Sequence, residues 1–212
     1  GVLLYNTLIR NKAMTVNHEI KSQLAKLLAT EDLVVENKHV ETACFNVHTR
    51  VLTLPTWERA TSIVHDLLVG HEVGHALFTP DSDWFKERKI PPQFVNVVED
   101  ARIEKLMKRK YPGLAKTFYK GYSELSEDDF FKIEDEDIST FNLADKANLY
   151  FKIGNFIDLE FDAEESVLIK RIADSETFED MHKRWEGILD FSWGARFYSL
   201  ALLVCAYSAR LR

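Results

Sequence analysis

Between Thr61 and Phe78 an apolar run carries a His-Glu-x-x-His pattern at His71, Glu72 and His75. Few features constrain a chain more. Two histidines four residues apart lie one above the other only on an α-helix, where their imidazoles can share one metal ion. Glu72 then stands one residue round the turn, close enough to reach a water on that ion without binding it. The neighbouring pairs Ile63-Val64 and Leu67-Leu68 extend the apolar surface beyond one stripe. The helix, expected over 57–78, therefore belongs in a core rather than on a surface.

The chemistry that uses this spacing follows from the residue types. A zinc ion with three protein ligands keeps a fourth position for water, lowers the pKa of that water to about 7 and polarises a carbonyl. A carboxylate beside it can take the proton of the water and pass it to a leaving amine. The pattern thus predicts one zinc per chain and hydrolysis of peptide bonds by a zinc-bound water, with His71 and His75 as ligands and Glu72 as general base. A third ligand is required. After Pro91-Pro92, the stretch from Phe94 to Met107 repeats apolar residues at helical spacing, and a second helix is expected over 91–110. Asn96, Glu99 and Ile103 share a face with the apolar stripe, whereas Asp100 and Glu104 form a neighbouring i, i+4 pair. Glu99 is therefore the expected third ligand. Asp100 is expected to orient a histidine ring, Arg102 to act as a charge partner and Asn96 to support the same face. No Gly-x-x-His follows His75, which excludes the pattern with a third histidine.

Gly70 to Pro80, then Asn96 to Glu104, then Tyr111-Pro112-Gly113-Leu114, together resemble the zincin-like metallopeptidases encoded by tailed bacteriophages. The resemblance spans roughly 42–189 and is most specific between Gly70 and Gly113. It implies a zincin fold of the glutamate (gluzincin, thermolysin-like) type and a zinc peptidase site at His71, Glu72, His75 and Glu99. In that group the peptidase-like region is often followed by a von Willebrand factor A-like domain. Two other functions fit the same residues: an inactive zincin-like scaffold or binding module in a phage complex, and a zinc amidohydrolase with a non-protein substrate. Glu72 argues against the scaffold, which has no chemical need for it.

The expected fold class is α+β, mostly helical, with a small antiparallel or mixed sheet over the active-site helix. A chain of 212 residues, 46% hydrophobic and 29% charged, can form one domain with a sizeable core, and 1–212 is expected to be a single domain. Its opening on Gly rather than Met suggests trimming or a tag remnant, and a fragment of a longer chain is a further expectation. A formal net charge of −7 and the lack of a basic stripe argue against nucleic acid. Cys44 and Cys205 read as buried thiols, and no secretory signal opens the sequence. The expected location is the cytoplasm, that of the host cell if the chain is phage-encoded.

Along the chain, Val2 to Asn11 is expected to form a short helix or arm, and Thr15 to Ala29 an amphipathic helix capped by Thr15 or Asn17. Strands are expected at 33–35, 39–47 and 50–54, with a hairpin turn at 46–50. Arg50 to Leu54 is the candidate edge strand for pairing with an extended substrate. His39, His48 and His65 are not expected to bind metal. Thr79 to Trp84 breaks the first metal helix, with Ser82 or Asp83 as a cap, and Trp84 and Phe85 are candidate pocket walls. The remainder, 112–212, reads as helical, including 142–157, 164–173, 176–189 and 193–211. Between them the acidic run 124–137 is expected to be a solvated loop. The apolar core of the last segment is too short to span a membrane, and it calls for burial or for a partner such as a following domain. An oxyanion donor is expected among Tyr119, Tyr122 and His182. Tyr122 is favoured because it follows Gly121 in an expected loop close after the second metal helix.

Overall fold

The computed structural model describes residues 17–57, 60–81 and 95–180, and the backbone of 92–94. The expectations for 2–11, for Trp84 and Phe85, for His182 and Cys205, and for the segments at 181–189 and 193–211 fall outside these residues.

Helix α1 (His18–Ala29) starts where the Asn17 side chain accepts from the Glu19 and Ile20 amides, and ends where Thr30 turns left-handed at φ 58°. Its buried Lys21 reaches Asp66 at 2.5 Å and the Ser62 hydroxyl at 2.8 Å. An amphipathic helix is thereby tied to the first turn of the helix that carries the His-Glu-x-x-His pattern. Three strands follow, β1 (Val34–Lys38), β2 (Cys44–Asn46) and β3 (Val51–Pro55). They form a mixed sheet in the order β1-β3-β2, with β1 parallel to β3 (Val34 opposite Val51) and β2 antiparallel to it (Phe45 opposite Leu52). The turn falls at 46–50 as expected. Asn46 Oδ1 accepts from the amides of His48 and Thr49, and Arg50 closes the turn at φ 58°.

The strand at 50–54 is central, not an edge. Leu52 and Leu54 are fully buried, and β3 is hydrogen-bonded on both sides. The edges are β1 and β2. The expected strand over 39–47 shortens to Cys44–Asn46.

Helix α2 (Ser62–Phe78) begins five residues later than Trp57. The Trp57 indole donates to the Val40 carbonyl at 3.1 Å, while the Thr61 hydroxyl accepts from the Val64 amide and so caps the helix. Helices α3 (Pro92–Lys110) and α4 (Gly113–Glu127) follow. Tyr122 therefore sits inside a helix, not in a loop. After α4 the acidic residues 134–137 are exposed, but Phe131 is buried and anchors the segment to the core. Helix α5 (Leu143–Ile153) is capped by Asn142 and stops at Gly154, short of the expected 157. Helix α6 (Ala163–Ala173) opens with a capping box between Asp162 and Glu165.

Among the described residues two apolar clusters result. The larger packs Leu33, Leu52, Leu54, Leu67, Leu68 and Phe118 together, joining the sheet and α1 and α4 to α2. Each such side chain contributes about 1.5–3 kcal/mol on burial. The smaller joins Val95, Val98, Leu143, Leu168 and Ile172 of α3, α5 and α6. Between α2 and α3 the contact turns polar, and there the motif residues lie. The architecture is mostly helical α+β with a small mixed sheet. Among the described residues no helix is long and apolar enough to cross a membrane.

Candidate metal centre

Helix α2 places His71 and His75 on one face, buried to 0% and 2% exposure, with ring centroids 5.1 Å apart. Gly74 sets how near α3 can come. A Cβ there would meet Ile103 Cδ1 at 2.8 Å and Met107 Cγ at 3.1 Å, so the missing side chain is what lets the second helix close on the first.

Three atoms converge between the helices. His71 Nε2 lies 3.5 Å and His75 Nε2 3.2 Å from Asp100 Oδ1, with all three within 4.8 Å of one another. None of the three has a hydrogen-bond partner, although each is buried. Ligands about 2.0–2.2 Å from a tetrahedral zinc stand about 3.3–3.6 Å apart. The two separations to Asp100 lie close to that edge length.

The outer nitrogens decide which way the rings are protonated. His71 Nδ1 is 2.9 Å from Glu104 Oε1, and an ionised carboxylate only accepts, so Nδ1 carries the proton. On the other ring, His75 Nδ1 is 2.9 Å from the Thr79 hydroxyl, which itself donates to Glu99 Oε1 at 2.5 Å. The single hydroxyl proton being committed to Glu99, His75 Nδ1 must be the donor to Thr79. In the neutral rings that a metal would bind, both Nε2 lone pairs then face a carboxylate oxygen, and a cation between them would satisfy all three atoms.

Asp100, rather than Glu99, stands with the two histidines in the cluster that could hold a metal ion. The Glu99 carboxylate takes two hydrogen bonds from Arg102, both at 2.7 Å, besides that from Thr79. Arg102 also donates to the Phe78 carbonyl at 2.8 Å, fastening the end of α2. Glu99 is thus brought to the back of His75, not between the imidazoles. Asp100, one residue on, faces the gap with Oδ1 while its Oδ2 accepts from Lys152 of α5 at 2.7 Å. Arg102 is a charge partner as expected, to Glu99. Asn96 is buried beside them, with its Oδ1 unpartnered.

Glu72 differs from the other carboxylates. Both its oxygens are buried without a hydrogen-bond partner. Burial raises its pKa, and the neighbouring histidines only partly offset this. Asp100 and Glu104 are also penalised by burial, yet Lys152 and His71 hold the first well below the usual carboxylate range, and Lys108 and His71 lower the second. Burial opposes a charged His71 ring as well, but Asp100, Glu104 and Glu72 outweigh it and push its pKa up to about 10. The pocket favours positive charge, and it holds the Glu72 carboxyl apart from any hydrogen-bond partner.

The Tyr122 hydroxyl is not offered to an oxyanion. It donates to Glu104 Oε1 at 2.5 Å and is buried, and burial with Glu104 beside it raises its pKa far above normal. The tyrosine backs His71 through Glu104. Of the other candidates, Tyr119 is 54% exposed and stacks near Phe156. His65 sits between the carbonyls of Thr61 and Pro55, and His48 pairs with Asp81. Neither approaches the centre.

Thr79, Glu104 and Lys152 were missed as supports. Thr79 follows His75 by one helical turn, and Glu104 follows Asp100 likewise, so spacing could have found both. Nothing in the sequence around Lys152 points to Asp100. Compared with protein-family models, curated proteins and solved structures, the chain matches none.

Proposed function

We propose that the chain is a zinc-dependent metallopeptidase of zincin-like fold, with His71, His75 and Asp100 as ligands and Glu72 as general base. The observation that carries this reading is the meeting of three buried, unpartnered ligand atoms, the two histidine nitrogens each close to a tetrahedral edge length from Asp100 Oδ1, with an unpartnered carboxylate beside His71 at Glu72. The resemblance of 70–113 to the phage-encoded peptidases supports the same class.

When bound there, zinc supplies Lewis acidity toward a carbonyl and brings the pKa of water to about 7. The chain does the rest. Glu104 and Thr79 fix the histidine tautomers. Glu72 takes a proton from the attacking water and delivers it to the departing amine, a role its raised pKa suits. The dry surroundings strengthen each electrostatic contact.

Burial of His71, Glu72 and His75 to 2% exposure or less favours a second reading, an inactive metal-stabilised scaffold. Two measurements separate the possibilities. Zinc content by mass spectrometry should be about one per chain in the wild type, lost in Asp100→Ala and retained in Glu99→Ala. The reverse pattern in the two variants would overturn the ligand assignment. Turnover of a peptide library should vanish in Glu72→Gln with zinc retained. Wild-type protein that holds zinc and cleaves nothing would leave the scaffold.

A further inference from the structure

Asp100 divides its carboxylate between two charges. Oδ1 faces both imidazoles, whereas Oδ2 accepts from Lys152 Nζ at 2.7 Å, in a pair whose side chains are 5% and 3% exposed. An aspartate free to turn can offer zinc both oxygens, raising the coordination number and filling the position a water needs. A carboxylate held at its second oxygen can offer only one.

We propose that Lys152 is a positioning residue that restricts Asp100 to a single metal bond and so keeps the fourth position open. This rests on the zinc reading above. Three features of the structure carry it. Lys152 arises on α5, outside the helix pair that bears the motif, so its approach to Asp100 is independent of the histidines. Its ammonium lies in the dry interior, where an ion is tolerated only if paired. The oxygen it holds is the one turned away from the histidines, and the other is left without a partner. The ammonium also draws electron density from the carboxylate, which makes Asp100 a weaker donor and leaves the metal a stronger Lewis acid.

A competing account of the same contact has Lys152 as the counter-ion that completes the site without any metal. The two accounts predict opposite outcomes.

The test uses cobalt(II) in place of zinc, because the visible absorption of cobalt is several-fold stronger in a four-coordinate tetrahedral site than in a five- or six-coordinate one. Wild-type protein titrated with cobalt should give the intense tetrahedral bands. Lys152→Met, close in length but without the ammonium, should still bind the metal, now through both Asp100 oxygens, and give bands several-fold weaker and shifted to shorter wavelength. Lys152→Arg, which keeps a donor, should recover most of the intensity. Identical spectra for the wild type and Lys152→Met would overturn the inference and leave the zinc reading standing. A wild type that binds no cobalt and no zinc would overturn both, in favour of the counter-ion account. If Lys152→Met does not fold, X-ray absorption on zinc-loaded wild type decides. A four-coordinate shell with one short carboxylate oxygen sustains the proposal, and two carboxylate oxygens at bonding distance refute it.

Discussion

The two histidines are held in the same tautomer by different means. His71 gives its outer proton directly to a carboxylate, Glu104, which also receives the Tyr122 hydroxyl and, at 3.3 Å, the Lys108 ammonium. His75 gives its proton to a neutral hydroxyl, Thr79, and the charge stands one step farther off on Glu99, where Arg102 compensates it. The first arrangement places a full negative charge against the ring. The second transmits orientation with little charge. In the proposed site His71 should therefore be the more expensive one to disturb, whereas His75 should be sensitive chiefly to geometry.

The largest effect is expected from Glu104→Ala. It removes one acceptor from three donors, two of them buried, and should cost about 3–5 kcal/mol of stability, read by urea denaturation. Zinc affinity should fall in the same variant. A loss below about 1 kcal/mol would mean that Glu104 behaves as a surface group and that the contrast between the arms is false.

Thr79→Val comes next. The shape of the side chain is kept while the hydroxyl is lost, leaving His75 Nδ1 and Glu99 each short of a partner, at about 1–3 kcal/mol. Zinc should bind about 10- to 100-fold more weakly, and Thr79→Ser should restore binding. If Thr79→Val and Thr79→Ser bind zinc equally, the hydroxyl relay does not orient His75.

How these arms arise explains how much of the centre was legible beforehand. His71, Glu72 and His75 share a face because of helical spacing alone, which is local information. The order of elements through the sheet and the two motif-bearing helices followed from equally local patterns. The choice between Glu99 and Asp100 did not. Adjacent residues point about 100° apart on a helix, so the face that meets the histidines depends on the rotation of α3, and that is set by Ile103 and Met107 lying over Gly74. Likewise, Lys152 reaches Asp100 from a helix some fifty residues away, and the central place of β3 depends on the parallel pairing with β1. Long-range packing has no periodic signature.

Gly74→Ala tests that packing with a smaller perturbation. The added methyl would approach Ile103 Cδ1 to 2.8 Å. Flexible side-chain ends can yield, so about 1–3 kcal/mol is expected. Because the shift would move α3 as a unit, zinc affinity should weaken although no ligand is altered. Unchanged affinity with lowered stability would show that Ile103 adjusts alone.

The smallest effect should come from Tyr122→Phe, and it discriminates between two roles for the ring. As a support, Tyr122 supplies one of three donors to Glu104. Its loss leaves Glu104 still bonded to His71 and Lys108, and creates no unpaired donor. The cost should be about 1.5 kcal/mol, zinc affinity should change little, and any peptide turnover should stay within a few-fold of the wild type. As an oxyanion donor, the same hydroxyl would contribute about 10²–10³ in turnover with little bearing on stability. The hydroxyl has one proton, and at 2.5 Å from a carboxylate oxygen that proton is already committed. A large loss of turnover at unchanged stability would require the tyrosine to leave Glu104 when substrate arrives, and the two arms would then differ in catalysis as well as in charge.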